Sequence, residues 1–437
     1  MISQVLKNTL GIAILLILNI SITIAQKKLT INDAINIALK NNFDILVAGN
    51  DVSIAKTNNS LGNAGMLPTL ALIGSGSYEL SNTKQKLSSG SENNYSSLSS
   101  TSLSAGAQLS WNLFDGGKMF VTKSKLNEIQ ALGEIQFKEK VLQTLYDVIA
   151  SYYDVVRQKQ QLNSIQEVLN LNRERVTIAQ AGFNAGSLLK TDLLQSKIDL
   201  NITTESIINQ QFTIDESLKL LNQLLGGKTD GTIEITDSIP FNYSPNRDSL
   251  FQKINNSNAN ILSFQKQIDI AQLALKENRS FYFPTLNLKA GYYASQSVNS
   301  AGSVLKNSSI GPQVGGTLVV PIYNAGETRR KTVTSKILAQ SAEYDLQNIK
   351  MQVNTTLENT LTEFENQQKL LTIEAENNEL AKENIEISMA RLKQGQTTSL
   401  EVHQAQEFYV QSCTRLINFR YNLKMAETKL KQLVSEL

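Results

Sequence analysis

The sequence contains the same set of landmarks twice, separated by a constant distance along the chain. The matching pairs, each 209 positions apart, are Leu113-Phe114-Asp115-Gly116-Gly117 with Ile322-Tyr323-Asn324-Ala325-Gly326, Gly186 with Gly395, and Leu225 with Val434. One offset shared by three widely spread landmarks requires two copies of equal length. We therefore predict one duplicated domain, with long helices of matching length, rather than several unrelated domains.

Each copy changes from a helical to a strand pattern at a Pro-Thr-Leu sequence. Apolar residues follow helical spacing over 30–64 and over 247–279, and these segments end before Pro68 and Pro284. After each proline the apolar period becomes two, as in Leu286-Asn287-Leu288-Lys289-Ala290. This predicts four strands of about ten residues in two hairpins, joined by Ser/Asn/Gly-rich loops near 81–100 and 295–309.

Strands with this length and alternation have two interpretations. They suit a tilted membrane-spanning barrel wall, apolar outside and polar inside, but a soluble half-buried sheet alternates in the same way. Aromatic residues near the strand ends, such as Tyr78, Trp111 and Tyr282, favour the membrane wall. Four strands cannot close a barrel, and an open edge in hydrocarbon leaves unpaired backbone groups that cost several kcal/mol each. In a bilayer, several copies of the chain must therefore share one barrel.

The segments that follow the hairpins are too long for the helices of an ordinary globular domain. Residues 118–182 contain no proline and predict a helix of about 100 Å, whereas 30–64 and 188–225 predict helices of about 50 Å. Two shorter helices stacked end to end would thus match one long helix. The long helix carries an apolar seam in steps of three and four residues, formed by Leu142, Leu145, Ile149, Tyr152 and Val156. This seam is typical of coiled-coil packing; a self-contained coiled coil is the alternative, but it does not explain the hairpins.

The charge balance argues against a nucleic-acid partner. Lys and Arg together number 41 against 39 acidic residues, which leaves no net field to attract a polyanion. Residues 1–25 resemble a secretory signal peptide, with Lys7 before the apolar run Leu10–Leu18 and small residues at the end. An uncleaved membrane anchor is the alternative, although the apolar run is short for a spanning helix. The single Cys413 cannot form an internal disulfide and is expected to be a buried thiol.

No constellation of residues points to catalysis. His403 is the only histidine, which excludes a multi-histidine metal site and a Ser-His-Asp triad. Gly226-Gly227-Lys228-Thr229 lacks the upstream glycine of a phosphate-binding loop. We therefore predict no catalytic residue, no cofactor and no metal site. His403 itself is expected to be an exposed polar helix residue, with a functional role left open by its position after the second turn.

These features together resemble the TolC-type outer-membrane efflux proteins. The resemblance rests on the signal peptide, the doubled helix–hairpin–helix plan and the Pro-Thr-Leu sequences. It also rests on Trp111-Asn112-Leu113-Phe114-Asp115-Gly116-Gly117 and Phe183-Asn184-Ala185-Gly186-Ser187-Leu188-Leu189-Lys190-Thr191-Asp192-Leu193. The resemblance covers essentially the whole mature chain. It implies an α+β membrane protein in which three chains, with four strands each, form one 12-stranded β-barrel continued into the periplasm by a long α-helical barrel.

The same resemblance implies a function and a set of partners. The protein is expected to be the outer-membrane exit duct of a tripartite efflux or type I secretion system, without enzymatic activity. It would form a homotrimer in outer-membrane lipid and bind a periplasmic adaptor. That adaptor would deliver substrates from an inner-membrane pump of the RND, ABC or MFS type. The alternative function is a non-transport structural protein, such as a cell-surface coiled-coil fibre or adhesin.

The resemblance also assigns candidate site residues at the two helix-to-helix turns. In such proteins these turns form the periplasmic tip, where the adaptor docks and the tunnel narrows. The corresponding docking residues are Phe183, Asn184, Gly186, Ser187, Leu392, Gly395 and Gln396. The acidic entrance ring corresponds to Glu401, with Asp192 in the first copy, and Gln404 replaces the acidic residue of a second ring.

Two of these gate candidates have simpler interpretations, and part of the family pattern is missing. Asp192 can cap the helix after the first turn, and Glu401 can be a solvated residue on a helix face. Leu392 and Thr397 stand where the family has an aromatic and a basic residue of its closing network, so this sequence loses much of that network.

The predicted domain organisation follows the repeat. Residues 1–25 form the signal peptide, 26–230 the first structural repeat, 231–246 the linker between the copies, and 247–437 the second repeat.

Overall fold

The protein repeats a plan of paired helices, a β-hairpin and a long helical hairpin. A computed structural model describes residues 28–227, 234–235 and 238–437, so the predicted signal peptide and part of the linker lie outside the described residues. The first copy contains β1 (Lys28–Leu29), α1 (Ile31–Asn41), α2 (Phe43–Asn58), β2 (Thr69–Lys86), β3 (Glu92–Asp115), α3 (Lys118–Asn184) and α4 (Lys190–Leu224). After β4 (Glu234–Ile235), which pairs with β1, the second copy contains α5 (Arg247–Ser257), α6 (Ala259–Arg279), a 3₁₀ turn (Ser280–Tyr282), β5 (Thr285–Asn299), β6 (Lys306–Val319), α7 (Glu327–Lys393) and α8 (Ser399–Leu433).

The long helices of the two copies are equal in length. Helices α3 and α7 have 67 residues each, and α4 and α8 have 35 residues each. Both long helices begin after a glycine with positive φ, Gly117 at 82° and Gly326 at 73°. A side chain in this left-handed conformation costs roughly 1–2 kcal/mol. The prediction of matching helix lengths is confirmed, and the glycine landmarks mark where each helix starts.

The shorter helical segment of each copy is two helices, whereas the sequence pattern predicted one. The break falls at Asn42 and at Asn258, each of which ends one helix and begins the next. The Asn42 side chain accepts a hydrogen bond from the Asp44 N–H at 2.9 Å and donates one to the Leu224 carbonyl at 2.8 Å. Asn258 bonds in the same way to the Ile261 N–H and the Leu433 carbonyl. A single buried amide thus satisfies two helix ends that would otherwise lack partners.

The four long strands form one antiparallel sheet in the order β2-β3-β5-β6. They are longer than the predicted ten residues, at 18, 24, 15 and 14 residues. The predicted loops near 81–100 and 295–309 are wrong in extent, because pairing continues on both sides of a short turn at 87–91 and of residues 300–305. Ladder hydrogen bonds join backbone groups, so serine-rich and asparagine-rich stretches can extend the strands.

The two faces of the sheet differ in chemistry, as the alternation predicted. One face carries a row of four serines in register across all four strands, Ser75, Ser104, Ser295 and Ser309. The adjacent row on the opposite face is apolar: Gly74, Ala105, Ala294 and Ile310. Large apolar side chains on that face are open to the surroundings, with Leu72 at 88% exposure and Val314 at 76%. Strands β2 and β6 form the two edges of the sheet.

The helical core is centred on the middle of α3. The predicted seam residues are all buried, which confirms the coiled-coil pattern in this part of α3. Three of them, Ile149, Tyr152 and Val156, pack with α1, with α4 and with Ile235 and Ile239 between the two copies. A second core joins α5, α7 and α8 around Leu357, and α6 lies between α3 and α7. Among the described helices, none combines the length and the apolar character that crossing a bilayer requires.

Candidate functional site

The candidate site is the end of the molecule where α3 turns into α4 and α7 turns into α8. Both turns depend on a glycine with positive φ, Gly186 at 74° and Gly395 at 67°. The N–H of Gly186 donates to the Phe183 carbonyl, and the N–H of Gly395 donates to the Leu392 carbonyl. These bonds satisfy carbonyls at the helix ends and reverse the chain within a few residues. Each turn lies about 100 Å along its long helix from the sheet.

The structure places the predicted docking residues on these two turns, with one difference in burial. The exposed ones are Phe183, Asn184, Gly186, Ser187, Gly395 and Gln396. Leu392 is 6% exposed and lies in an apolar cluster beneath the second turn. In the single chain its side chain therefore supports the turn from inside, while the other six residues form its outer surface.

The gate candidate Asp192 makes a local helix-capping bond. Its carboxylate accepts a hydrogen bond from the Leu189 N–H at 3.1 Å, at the start of α4. Leu189 occupies the N-cap position, and its aliphatic side chain cannot accept a hydrogen bond. The carboxylate of Asp192 therefore takes over the capping role, which is the simpler of the two interpretations made from the sequence.

The equivalent Glu401 lies in a different local arrangement. The N-cap residue Thr398 accepts the Glu401 N–H at 3.3 Å, so the helix start is capped without the Glu401 carboxylate. That carboxylate is exposed and accepts a hydrogen bond from the Thr397 hydroxyl. Gln404, three residues later, is also exposed. Of the two acidic gate candidates, Glu401 is thus the one that keeps an outward-facing charge.

A buried ionic network lies three turns above the tip, and the sequence reading missed it. The side chain of Arg175 in α3 is 0% exposed and lies 3.0 Å from the Asp199 carboxylate of α4. Arg175 also donates to Asn172 at 3.1 Å and to Gln406 of α8 at 3.0 Å. Burial lowers the pKa of Arg175, while the Asp199 charge opposes that shift. The network joins the helical hairpin of the first copy to α8 of the second.

His403 belongs to the same network. Its Nδ1 lies 3.3 Å from Oδ2 of Asp199, and about a third of its side chain is exposed. The imidazole therefore lies at the edge of the ionic network rather than projecting freely into solvent. The signal available in the sequence was the seam itself, because the buried residues Val168, Asn172, Arg175 and Ala179 follow steps of four, three and four. Polar residues at seam positions indicate a buried network.

The second copy closes its tip with apolar contacts. The buried cluster between α7 and α8 contains Ile385, Met389, Leu392, Val402, Ala405, Tyr409 and Cys413. The Tyr409 hydroxyl donates to the Glu167 carboxylate of α3 at 2.9 Å. Burial and this carboxylate raise the pKa of Tyr409. Cys413 is buried in the same cluster, as predicted.

Comparison with known proteins identifies the family. The model of the outer membrane efflux protein family matches residues 34–227 and 250–436, which is most of the chain and both copies. The chain belongs to this family. Its members are outer-membrane channels rather than enzymes, and the protein is located in the outer membrane. The resemblance drawn from the repeat and the turn motifs is confirmed.

Individual relatives of the chain are distant in sequence. It is 24% identical over 331 residues to the alkaline protease secretion protein AprF of Pseudomonas aeruginosa, covering 72% of this chain and 65% of AprF. The chain thus spans less than two thirds of that relative's length. It is 22% identical over 404 residues to the outer membrane efflux protein BepC of Brucella suis, covering 92% of this chain and 84% of BepC.

The fold is shared with solved outer-membrane channels. The Campylobacter jejuni CmeC channel superposes with a TM-score of 0.76 at 16% identity, over 93% of this chain and 85% of that one. The CusC structure gives a TM-score of 0.74 over 92% of this chain and 91% of that one, at 19% identity. The predicted fold class is confirmed for the chain, which combines one four-stranded antiparallel sheet with long paired helices as these channels do.

Proposed function

We propose that this efflux protein is the passive exit duct of a tripartite efflux or type I secretion system. Three chains form the duct, and a periplasmic adaptor delivers substrates to it from an inner-membrane pump of the RND, ABC or MFS type. The observation that carries the proposal is the separation of two ends: an open-edged four-stranded sheet with an apolar exposed face, and paired turns about 100 Å away.

The open edges of the sheet support the homotrimer. Strands β2 and β6 each have one edge that no strand of the described chain covers. In hydrocarbon those unpaired N–H and C=O groups would cost several kcal/mol each. Pairing β6 of one chain with β2 of the next removes both edges, and three copies close a ring of twelve strands.

The two turns support adaptor docking and gating at the far end. The exposed turn residues Phe183, Asn184, Ser187 and Gln396 form the docking surface, with Gly186 and Gly395 fixing its shape. Around the threefold axis, Glu401 supplies a ring of carboxylates, with Gln404 one turn further along the duct. Asp192 contributes by holding the start of α4. Three like charges around one axis favour cations and repel anions.

The repeat also supports a domain organisation for the whole chain. Residues 1–25 direct secretion and are removed, residues 26–230 and 247–437 form the two structural repeats, and residues 231–246 link them. The described part of the linker contributes Ile235 and Ile239 to the core around α3. This part of the linker therefore packs against the middle of the helices.

The relatives indicate two kinds of cargo that such a duct serves. AprF is named for the secretion of an alkaline protease, and BepC for efflux. Both fit a conduit whose own residues perform no chemistry on the cargo, and the choice between them depends on the pump and adaptor that the tip accepts.

Single-channel recording tests the duct directly. Purified full-length protein reconstituted in planar bilayers is expected to give discrete conductance steps, because three chains enclose a water-filled barrel. A cell-surface fibre or adhesin would give no steps. The absence of conductance from protein that is demonstrably trimeric and folded would overturn the proposal.

A matched pair of glycine variants tests the docking turns. Gly186→Val places a branched side chain at a φ of 74°, and Gly227→Val does the same at 69°, at the other end of the helical hairpin. Neither glycine has a neighbouring atom within 4 Å of an added Cβ, so both variants suffer backbone strain rather than a clash. Crosslinking to the adaptor is expected to fall for Gly186→Val alone. Equal crosslinking and export in both variants would exclude the turn as a docking site.

A further inference from the structure

Two lysines from different helices meet at one aromatic ring where the sheet joins the helices. The ammonium of Lys118, at the start of α3, lies 5.1 Å from the centroid of the Phe281 ring. The ammonium of Lys331, in the second turn of α7, lies 5.5 Å from the same centroid. A cation at this distance from an aromatic ring is held by the ring's electrostatic field. Phe281 at the base of the strands therefore lies within cation–π distance of two ammonium groups.

The position of this cluster within the wall leaves it open in the assembly. Phe281 belongs to the 3₁₀ turn after α6, and α6 packs between α3 and α7. In the proposed trimer, on which this step rests, neighbouring copies meet at the sheet edges β2 and β6, whereas this cluster lies in the middle of each chain's own wall. Its exposure in the single chain, 41% for Phe281, is therefore not removed by formation of the barrel.

The same level of the molecule carries an excess of positive charge. The stretches 115–125, 276–285 and 322–331 contain eight basic residues and three acidic ones. Two of the three carboxylates are already paired, Glu277 with Lys125 and Glu327 with Lys331. Among the described residues, no carboxylate lies within 4 Å of the side-chain nitrogens of Lys118, Arg279 or Arg330. The region is a basic collar with several uncompensated charges.

Exposed aromatic residues accompany the collar. Phe281, Tyr282 and Phe283 follow one another directly before β5, and each is exposed by 41% or more. In the first copy the residues before the equivalent proline are Gly65, Met66 and Leu67, so the aromatic triplet exists once per chain. Of the three, Tyr282 is the type enriched at membrane interfaces, because its apolar ring and polar hydroxyl match the headgroup region. The two phenylalanines add apolar surface beside it.

We propose that Lys118, Lys331 and Phe281 form a binding site for the phosphate headgroup of an anionic phospholipid. The lipid belongs to the outer-membrane leaflet that faces the periplasm. Lys118 binds the phosphate, and Lys331, which also pairs with Glu327, and the unpaired Arg330 add positive charge. The aromatic triplet contacts the first acyl carbons. Each chain holds one such lipid. The site fixes the height of the duct in the membrane at the junction of strands and helices.

Lipid retention by the whole trimer tests the site. Delipidated trimer is titrated with phosphatidylglycerol, and bound lipid is counted by native mass spectrometry. A Lys118→Gln/Lys331→Gln double variant is expected to weaken binding about 30-fold, from about fivefold per lysine near an anionic surface. The control is Lys84→Gln/Lys86→Gln, which removes the same charge at the opposite end of the β2–β3 hairpin. Unchanged affinity in the Lys118/Lys331 variant would overturn the proposal.

Two further probes distinguish the source of the phosphate. Phosphatidylcholine has the phosphate but no net charge and is expected to bind much more weakly. Inorganic phosphate is expected not to displace phosphatidylglycerol, because it lacks the acyl chains that the aromatic triplet contacts. Displacement by inorganic phosphate at equal concentration would show a free-phosphate site and contradict the lipid assignment.

A fluorescence measurement tests the orientation independently of affinity. Phe281→Trp, made in a Trp111→Phe background, places one tryptophan at the site. In vesicles, phosphatidylglycerol brominated near the headgroup is expected to quench this tryptophan, and aqueous iodide is expected to have little effect. Quenching by iodide alone would place the ring in the water-filled lumen, and the proposal would fail even if the lysine variants bound less lipid.

Discussion

The two helical hairpins have the same length but are fastened at their turns by opposite chemistry. Near the first turn, Arg175 and Asp199 form a buried ion pair that also reaches Gln406. Near the second turn, α7 and α8 are joined by an apolar cluster that includes Met389 and Leu392. Duplication has thus kept the geometry of the scaffold while the contacts that hold it have diverged.

This difference has a mechanical meaning. A buried ion pair is sensitive to geometry, because its attraction offsets the cost of desolvation only while the two groups stay aligned. An apolar cluster is non-directional and tolerates sliding of one helix on the other. The contacts of Arg175 with Asp199 and Gln406 therefore depend on alignment of the helices, whereas the apolar contacts between the tip ends of α7 and α8 do not.

The largest expected effect comes from removing one member of the ion pair. Arg175→Ala leaves the Asp199 carboxylate buried without its cation, which is expected to destabilise the tip by about 3–5 kcal/mol. Hydrogen exchange of amides near the ends of α3 and α4 measures the loss. Arg175→Met combined with Asp199→Leu is expected to restore stability, because no charge then remains buried.

An exposed ion pair at the same level is the control for Arg175. Lys393 lies 2.5 Å from Glu174, with side-chain exposures of 53% and 43%. Lys393→Ala is expected to change stability by less than about 1 kcal/mol. Arg175→Ala with no greater effect than Lys393→Ala would remove the contrast between the two tips.

The second expected effect is on the apolar side of the comparison. Leu392→Ala creates a cavity in the cluster and is expected to cost about 2–5 kcal/mol. Faster hydrogen exchange should appear at the ends of α7 and α8 and leave the α3–α4 turn unchanged. Leu400→Ala removes the same atoms from an exposed position on α8 and is the control. Loosening of both turns by Leu392→Ala would show that the two tips are one cooperative unit.

The third prediction concerns a position where the two copies are alike. Asn42→Ala and Asn258→Ala each remove a helix cap and leave a buried leucine carbonyl without its donor, at a cost of about 1–3 kcal/mol. Thermal unfolding of the two variants is expected to show similar losses, and the double variant should show their sum, since the two side chains share no hydrogen-bond partner. A large difference between the two losses of stability would mean that this helix junction contributes unequally to stability in the two copies.

The smallest effect is a pH dependence within the second hairpin. Burial alone would raise the pKa of Glu374, but hydrogen bonds from Arg415 and Ser412 and the charge of Arg415 outweigh it and lower the pKa below 4.5. A lowered pKa adds stability above the unfolded-state value, and this is lost as the pH falls through the folded-state value. Contacts between α7 and α8 should therefore weaken below about pH 4.5.

Acid titration of hydrogen exchange in α8 checks this dependence. Glu374→Gln should reduce the loss of exchange protection at low pH. Glu376→Gln, a change at an exposed neighbour on the same helix, should leave that loss unchanged. An unchanged loss of protection at low pH in the Glu374 variant would assign the acid sensitivity to another group.

The sequence predicted the scaffold well where a physical constraint recurs along the chain. The repeat fixed helix lengths, since Gly117 and Gly326 mark equivalent starts. The period of two in residues such as Leu286, Leu288 and Ala290 identified the apolar face of the sheet correctly. Such periodic patterns are visible in the sequence because all residues on one face of a helix or strand have the same surroundings.

Other features were missed because their partners are far away in the chain. Asn42 looks like an ordinary polar helix residue until Leu224, 182 positions later, supplies the carbonyl that accepts its side-chain N–H. Arg175 looks like a solvated charge until Asp199 and Gln406 enclose it. Strand extents were missed for a different reason: residues 81–100 lack apolar alternation, yet their backbone groups still pair.

The row of Ser75, Ser104, Ser295 and Ser309 has a consequence for what leaves the cell. In the proposed trimer each chain contributes these four hydroxyls to the barrel wall, and a hydroxyl both donates and accepts hydrogen bonds. This row of the wall carries no charge, so it neither attracts nor repels a charged molecule that passes it. In the proposed duct, selection of the cargo therefore depends on residues other than this serine row.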